Sequence, residues 1–223
     1  MFKGIAVKEK VCLGDYLPIK AGQIISQNLV MNNRCDIRLF SFDSSEEVGI
    51  QTSKADILYW VLEGEGIIQI ETGKISLNAG EVIVMGKGTP HGIQAKTSIK
   101  VFQISLYEKE TDMDKFIKNI EHGKAFKMDE ILEYETGKVA SMTIAQNDKL
   151  SVTLMSFDKG EGISTHAAGG DAMVQVLDGT VEITIDKDVY VLDKGETIVM
   201  PANIPHSLKA VEQFKMFLIV VKP

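Results

Sequence analysis

The sequence is poor in arginine, cysteine, histidine and proline, and each shortage removes a class of function. Only Arg34 and Arg38 carry guanidinium groups, and the formal net charge is −7. A nucleic-acid partner calls for a basic surface that neutralises phosphates, with bidentate arginine for base readout; neither is visible, so no nucleic-acid partner is expected. Cys12 and Cys35 share no metal-type spacing and are too few for a disulfide framework. They read as small buried apolar residues in a reducing compartment. No apolar run approaches the ~20 residues of a membrane span. The start, Met1 to Ile5, is followed by Lys8, Glu9 and Lys10 rather than by the core of a signal peptide. The expectation is a cytoplasmic protein with no membrane partner. Phosphate-binding glycine motifs are missing too. Gly64-Glu65-Gly66 and Gly160-Glu161-Gly162 lack a third glycine, and no Gly-Lys pair precedes Ser or Thr in a P-loop frame.

What is present is the composition of a globular protein: 223 residues, 44% hydrophobic and 25% charged, enough for one large domain or two ordinary ones. An internal repeat decides between them. Ser41-Phe42-Asp43 recurs as Ser156-Phe157-Asp158, and Val61-Leu62-Glu63-Gly64 as Val176-Leu177-Asp178-Gly179. Gly80 to Met85 recurs as Gly195 to Met200, and Pro90-His91 as Pro205-His206. Every pair is 115 residues apart. No gap is needed from Leu39 to Leu106, where roughly a third of the positions are identical, and Gly22 over Gly137 and Ser26 over Ser141 extend the match upstream.

Each copy reads as β. Val181, Ile183 and Ile185 alternate with Glu182 and Thr184, the period of a half-buried strand. Asp186-Lys187-Asp188 turns the chain, Val189 to Leu192 is the next strand, and Ile198 to Met200 is another, stopped by Pro201. Short strands between glycine turns indicate a sandwich or barrel. Between the copies, Thr111 or Asp112 is placed to cap a helix with Phe116, Ile117 and Ile120 on its apolar face and His122-Gly123 at its end. His122 then sits as a surface cation at the helix C-terminus. The expected organisation is an N-terminal barrel over 1–107, a helical linker over 108–127 and a C-terminal barrel over 128–223.

These residues resemble the cupin superfamily. Gly195 to His206 follows the second cupin motif, Gly, five residues, Pro-x-Gly, two residues, His, with Asn203 in place of the last glycine; asparagine also tolerates left-handed backbone. The first copy keeps Gly80 and Pro90-His91 but has Gly86 where proline is usual. The first motif is represented by Gly160 to His166, then Asp171 to Gly179. The resemblance implies an all-β fold of two tandem cupin double-stranded β-helix (jelly-roll) barrels joined by a short helical linker. It implies little about activity, since one fold hosts many.

In metal-dependent cupins three His and one Glu bind a divalent metal inside the barrel. By this resemblance the four positions fall on His166, Ala168, Ala172 and His206 in the second copy, and on Gln51, Ser53, Ile57 and His91 in the first. The N-terminal site, with Gln51 and His91, is therefore degenerate, and that barrel is expected to be structural and metal-free. In the C-terminal barrel His166 and His206 are candidate ligands for one divalent metal (Zn, Mn, Fe or Ni), with water or substrate completing the shell. Asp171 either joins them through a bulge at Gly169-Gly170 or, like Asp56 in the other copy, closes a turn on backbone N–H groups. Met155, Met173, Met200 and Met216 fall on candidate strands and either line an adaptable pocket or fill the core. The expected ligand pocket is His166, Asp171, Met173, Gln175, Met200 and His206. Trp60 reads as packing. Two functions follow: a bicupin that binds a small molecule in its C-terminal barrel, or a metal-dependent isomerase, decarboxylase or dioxygenase-like enzyme at His166 and His206. The two fused copies imply an intramolecular pseudo-dimer, with a homodimer as a further partner arrangement.

Overall fold

The computed structural model describes residues 1–108 and 117–223. It contains twenty β-strands among these residues and divides into two compact units, Gly14–Lys127 and Met1–Leu13 with Met128–Pro223. The strands are β1 (Val11–Cys12), β2 (Ile24–Met31), β3 (Cys35–Phe42), β4 (Glu47–Thr52), β5 (Asp56–Glu63), β6 (Glu65–Ile70), β7 (Gly73–Asn78), β8 (Glu81–Met85), β9 (Pro90–Ala95), β10 (Ile99–Leu106) and β11 (Phe126–Lys127). The second set is β12 (Val139–Gln146), β13 (Leu150–Phe157), β14 (Gly162–His166), β15 (Asp171–Asp178), β16 (Thr180–Ile185), β17 (Asp188–Asp193), β18 (Glu196–Met200), β19 (His206–Ala210) and β20 (Phe214–Val221).

The first unit has a six-stranded antiparallel sheet, β11-β8-β5-β10-β3-β2, and a four-stranded one, β4-β9-β6-β7. The second repeats the pattern as β1-β18-β15-β20-β13-β12 and β14-β19-β16-β17. Alternating side chains supply each core. On β16, Val181, Ile183 and Ile185 are fully buried, whereas Glu182 and Thr184 between them are partly exposed. The inward residues of both sheets meet in one apolar cluster per barrel. Phe157, Val174, Val181, Ile183, Leu192 and Met200 build one, and Phe42, Tyr59, Val61, Ile68, Leu77 and Met85 the other.

Backbone details repeat at the same 115-residue offset. Asn203 has φ 62 where Gly88 has φ 80, so the asparagine takes the left-handed conformation that the motif's glycine would. Asp43 and Asp158 each accept a hydrogen bond from a glycine N–H, Gly22 at 2.9 Å and Gly137 at 2.7 Å. Those bonds hold both carboxyls below the usual range.

Two expectations need correction. Residues 1–13 belong to the second unit, not the first. Val11 and Cys12 pair with Thr197 and Glu196 of β18, while Phe126 and Lys127 pair with Val82 and Glu81 of β8. Each repeat's first strand thus completes the sheet built from the other repeat, so a boundary drawn by sequence order misplaces it. The expected helix also fails to reach His122. Residues 109–116, with Thr111, Asp112 and Phe116, lie outside the described residues. From Ile117 to Gly123 there is an isolated bridge, bends and a turn. Asn119 has φ 63, which a right-handed helix cannot pass through. His122 is half-buried, with its ring against the open face of Gly86. That packing accounts for glycine where the motif usually has proline. No helix among the described residues is long and apolar enough to cross a membrane.

Candidate functional site

In the C-terminal barrel His166 and His206 lie opposite each other, at the end of β14 and the start of β19. Their rings meet edge-on with centroids 4.4 Å apart. His166 Nδ1 is 3.0 Å from the Ser164 carbonyl, and His206 Nδ1 is 2.9 Å from that of Ile204. A carbonyl only accepts, so each Nδ1 carries the hydrogen and each Nε2 the lone pair. Burial, followed by the neighbouring His166, pushes the His206 imidazole below its ordinary pKa; the bond to Ile204 opposes the shift. The barrel interior around the pair is narrow, a cavity of about 50 Å³. Its lining is Ile163, His166, Ala168, Ala172, Val174, Met200, His206, Leu208, Met216, Leu218 and Val220.

Of the expected pocket, only His166, Met200 and His206 line this space. Asp171, Met173 and Gln175 are on β15 with the opposite parity to Ala172 and Val174, so their side chains leave by the other face. Asp171 accepts the Ala202 N–H at 3.0 Å and the Phe2 N–H at 3.1 Å. Asp56 does the same job for the Lys87 N–H at 2.7 Å in the other copy. No bulge turns Asp171 toward the imidazoles, since its strand pairs in register from Asp171 to Val176. Gln175 accepts a hydrogen bond from the Thr197 hydroxyl and donates to the Val176 carbonyl at 3.2 Å. Met173 is fully buried outside the barrel cluster. Ala168 and Ala172 contribute no donor. No group of three or more His, Cys, Asp or Glu among the described residues is placed to hold a metal ion. The two imidazoles bring two nitrogen donors to one place, where zinc sites ordinarily have three or four protein ligands.

The N-terminal barrel, expected to be merely structural, encloses about 330 Å³. Gln51, Thr52, Ser53, Tyr59, His91, Gln103 and Arg38 supply its polar lining, and Phe40, Phe42, Val48, Ile57, Ile93 and Val101 its apolar walls. Gln51 pairs with His91 between β4 and β9, matching the place of His166 and His206. His91 Nδ1 is 2.8 Å from the Thr89 carbonyl, so its Nε2 accepts from the Tyr59 hydroxyl at 3.1 Å. Burial pushes the Tyr59 phenol up to about 12. Arg38 donates from Nη2 to Asp36 at 2.9 Å, and Tyr107 donates to the same carboxylate oxygen at 2.8 Å. The Arg38 Nε is buried and meets no hydrogen-bond partner among the described residues. Trp60 packs edge-on against Phe102, centroids 6.2 Å apart, as packing residues do.

The aligned repeat shows where the two linings differ. Arg38, Tyr59 and Gln103 stand where the second copy has Thr153, Val174 and Leu218. Phe40 and Val101 stand where it has Met155 and Met216. Sequence reasoning missed Arg38, Tyr59 and Gln103 because the cupin motifs do not include them. The readable signal was the exchange of Thr153, Val174 and Leu218 for Arg38, Tyr59 and Gln103, which bring a charge, a phenol and an amide to the cavity lining.

Comparison with known proteins agrees with this architecture. A cupin-domain family model, Cupin_2, matches residues 153–222. No curated protein matches the chain. Among solved structures it is similar to the Cupin 2 conserved barrel domain protein from Leptotrichia buccalis, at 30% identity over 100% of both chains, with a TM-score of 0.86. It is also similar to a conserved protein of unknown function from Streptococcus pyogenes, at 46% identity over 50% of this chain and 98% of that one, with a TM-score of 0.48. Salicylate 1,2-dioxygenase from Pseudaminobacter salicylatoxidans shares 13% identity over 85% of this chain and 71% of that one, with a TM-score of 0.60, a likeness of fold alone. With two barrels built on one repeat and a full-length relative at 30% identity, the chain belongs to the cupin superfamily.

Proposed function

We propose that this bicupin binds a small molecule, and that its receptor is the N-terminal barrel rather than the C-terminal one. The observation that carries the reading is the contrast in interior space, about 330 Å³ against about 50 Å³. Ligand sites are concave, mostly apolar and furnished with a few convergent polar groups. The N-terminal cavity has that make-up, with phenylalanine and branched aliphatic walls around Arg38, Gln51, Tyr59 and His91. Cys12, exposed, and Cys35, buried, are not joined in a disulfide, which fits a reducing cytoplasm.

The metal-dependent enzyme reading at His166 and His206 ranks second. Its support is the pair of Nε2 lone pairs held close together; what it lacks among the described residues is a third protein donor. A thermal-shift screen of small acids, sugars and amides separates the readings. A ligand at a hundred times its dissociation constant adds about 2.7 kcal/mol. The stabilisation should vanish when Val101→Trp fills the N-terminal cavity and survive His166→Ala with His206→Ala. The reverse pattern, with metal retained by the wild type and lost in the double variant, would overturn the proposal.

A further inference from the structure

The N-terminal cavity has an electrostatic character that its partner lacks, and it narrows the class of ligand. Among the described residues that line the cavity, Arg38 carries the one formal side-chain charge and none is a carboxylate. Its guanidinium spends one Nη2 hydrogen on Asp36 and keeps the buried Nε–H without an acceptor among the described residues. The Arg38 side chain is about a third exposed and lines the cavity, so its accessible N–H groups can meet an incoming anion in a charge-assisted bond. Gln51, Thr52 and Ser53 add neutral donors at the same cavity.

We propose that the cavity takes a small organic monocarboxylate with an apolar body, its carboxylate on Arg38 and its body against Phe40, Ile57 and Val101. This rests on the reading of the N-terminal barrel as the receptor. Three features favour a monoanion. Arg38 and Asp36 form a one-to-one ion pair, so the lining carries no surplus positive charge that a second ligand carboxylate would need. Tyr59 and His91 satisfy each other as a neutral pair, so they bring no second cation. The volume lies at the small end of the ~300–1,000 Å³ range of ligand sites, and most walls are apolar. The C-terminal barrel is the built-in control. It has Thr153 at the arginine's position and a seventh of the space, and it should not bind the acid.

The test is calorimetric titration of the full chain with benzoate, phenylacetate and hexanoate, each against its neutral amide. The acids should bind at least about tenfold more tightly than the amides, since a charge-assisted bidentate bond is roughly twice as strong as a neutral one. Arg38→Gln should bring the acids down to the affinity of the amides and leave the amides unchanged. Val101→Trp should abolish both. Equal affinity for acid and amide, lost in Val101→Trp, would overturn the carboxylate assignment and leave the receptor reading standing. Acid binding that survives Val101→Trp, or no binding of any probe up to about 10 mM, overturns both. The acid-to-amide ratio in the wild type needs no variant, so it decides the matter even if Arg38→Gln fails to fold.

Discussion

Tyr59 donates its phenolic hydrogen to His91 Nε2 across 3.1 Å, and both residues sit buried in the wall of the N-terminal cavity. The second copy has Val174 and His206 at the same positions, so this bond has no counterpart there. It ties a strand of the six-stranded sheet, β5, to a strand of the four-stranded sheet, β9.

Tyr59→Phe should therefore destabilise the protein by about 1–2 kcal/mol, because it removes the hydroxyl and leaves His91 Nε2 buried without its donor. It should also delete one titration. The phenol is pushed from 10.0 up to about 12, so the folded state holds this proton longer than the unfolded chain does. The resulting stabilisation is present below pH 10 and is lost as the pH rises through 12. Absorbance at 295 nm during an alkaline titration should show a late-ionising tyrosine that is absent from the variant.

Asp171→Ala should cost about 2–3 kcal/mol, since it strips the acceptor from two backbone N–H groups, Phe2 and Ala202. Asp56→Ala should cost less, with the single Lys87 N–H affected. Chemical denaturation measures both. Any metal uptake by the wild type should be unchanged in Asp171→Ala, because the carboxylate points away from His166 and His206.

Much of this architecture is legible in the sequence, for a physical reason. The 115-residue offset copies buried positions such as Phe42 and Phe157, and alternation like that of Val181, Ile183 and Ile185 is what a pleated strand with one wet face requires. The left-handed turn at Asn203 follows from its chemistry alone. The exchanged strands are not legible, because two residues such as Val11 and Cys12 are too short to carry a period. Cavity location is harder still. Histidines at motif positions drew attention to the C-terminal barrel, but free space depends on how large side chains from distant strands interdigitate. Met155, Met216 and Leu218 pack into the core of one barrel, whereas Phe40, Val101 and Gln103 line the cavity of the other.

Gly64→Ala and Gly179→Ala should each be among the most damaging single-methyl additions in the protein. Both glycines have positive φ, 80 and 74, at the turn between a long sheet strand and the next hairpin. A Cβ at Gly64 would meet the Ser98 carbonyl oxygen, and one at Gly179 the Gln213 carbonyl oxygen. These are backbone atoms that cannot rotate away, so the loss should exceed the ~1–3 kcal/mol of the left-handed conformation alone. Gly22→Ala and Gly137→Ala are the comparison: φ is 65 in both, with nothing within 4 Å of the added carbon. They should lose only the conformational part, and the difference between the two pairs in thermal melts isolates the steric cost.

The His206 imidazole makes the C-terminal barrel sensitive to mild acid. Burial and then His166 lower its pKa below the ordinary 6.5. The unfolded chain therefore takes up this proton at a higher pH than the folded one. Stability rises with pH wherever the unfolded state binds more protons. The contribution of neutral His206 is thus complete above pH 6.5 and falls away as the pH drops through the folded pKa. His166→Ala removes the like charge, so the shift should shrink but persist, because burial is the larger cause. In chelator-treated protein, the His206 Cε1 proton resonance should titrate below that of a free imidazole and move part of the way back in His166→Ala. Denaturation midpoints measured on either side of pH 6.5 should fall with acid in the wild type. They should fall less in His206→Gln, which keeps a polar side chain of similar reach but has no proton to gain.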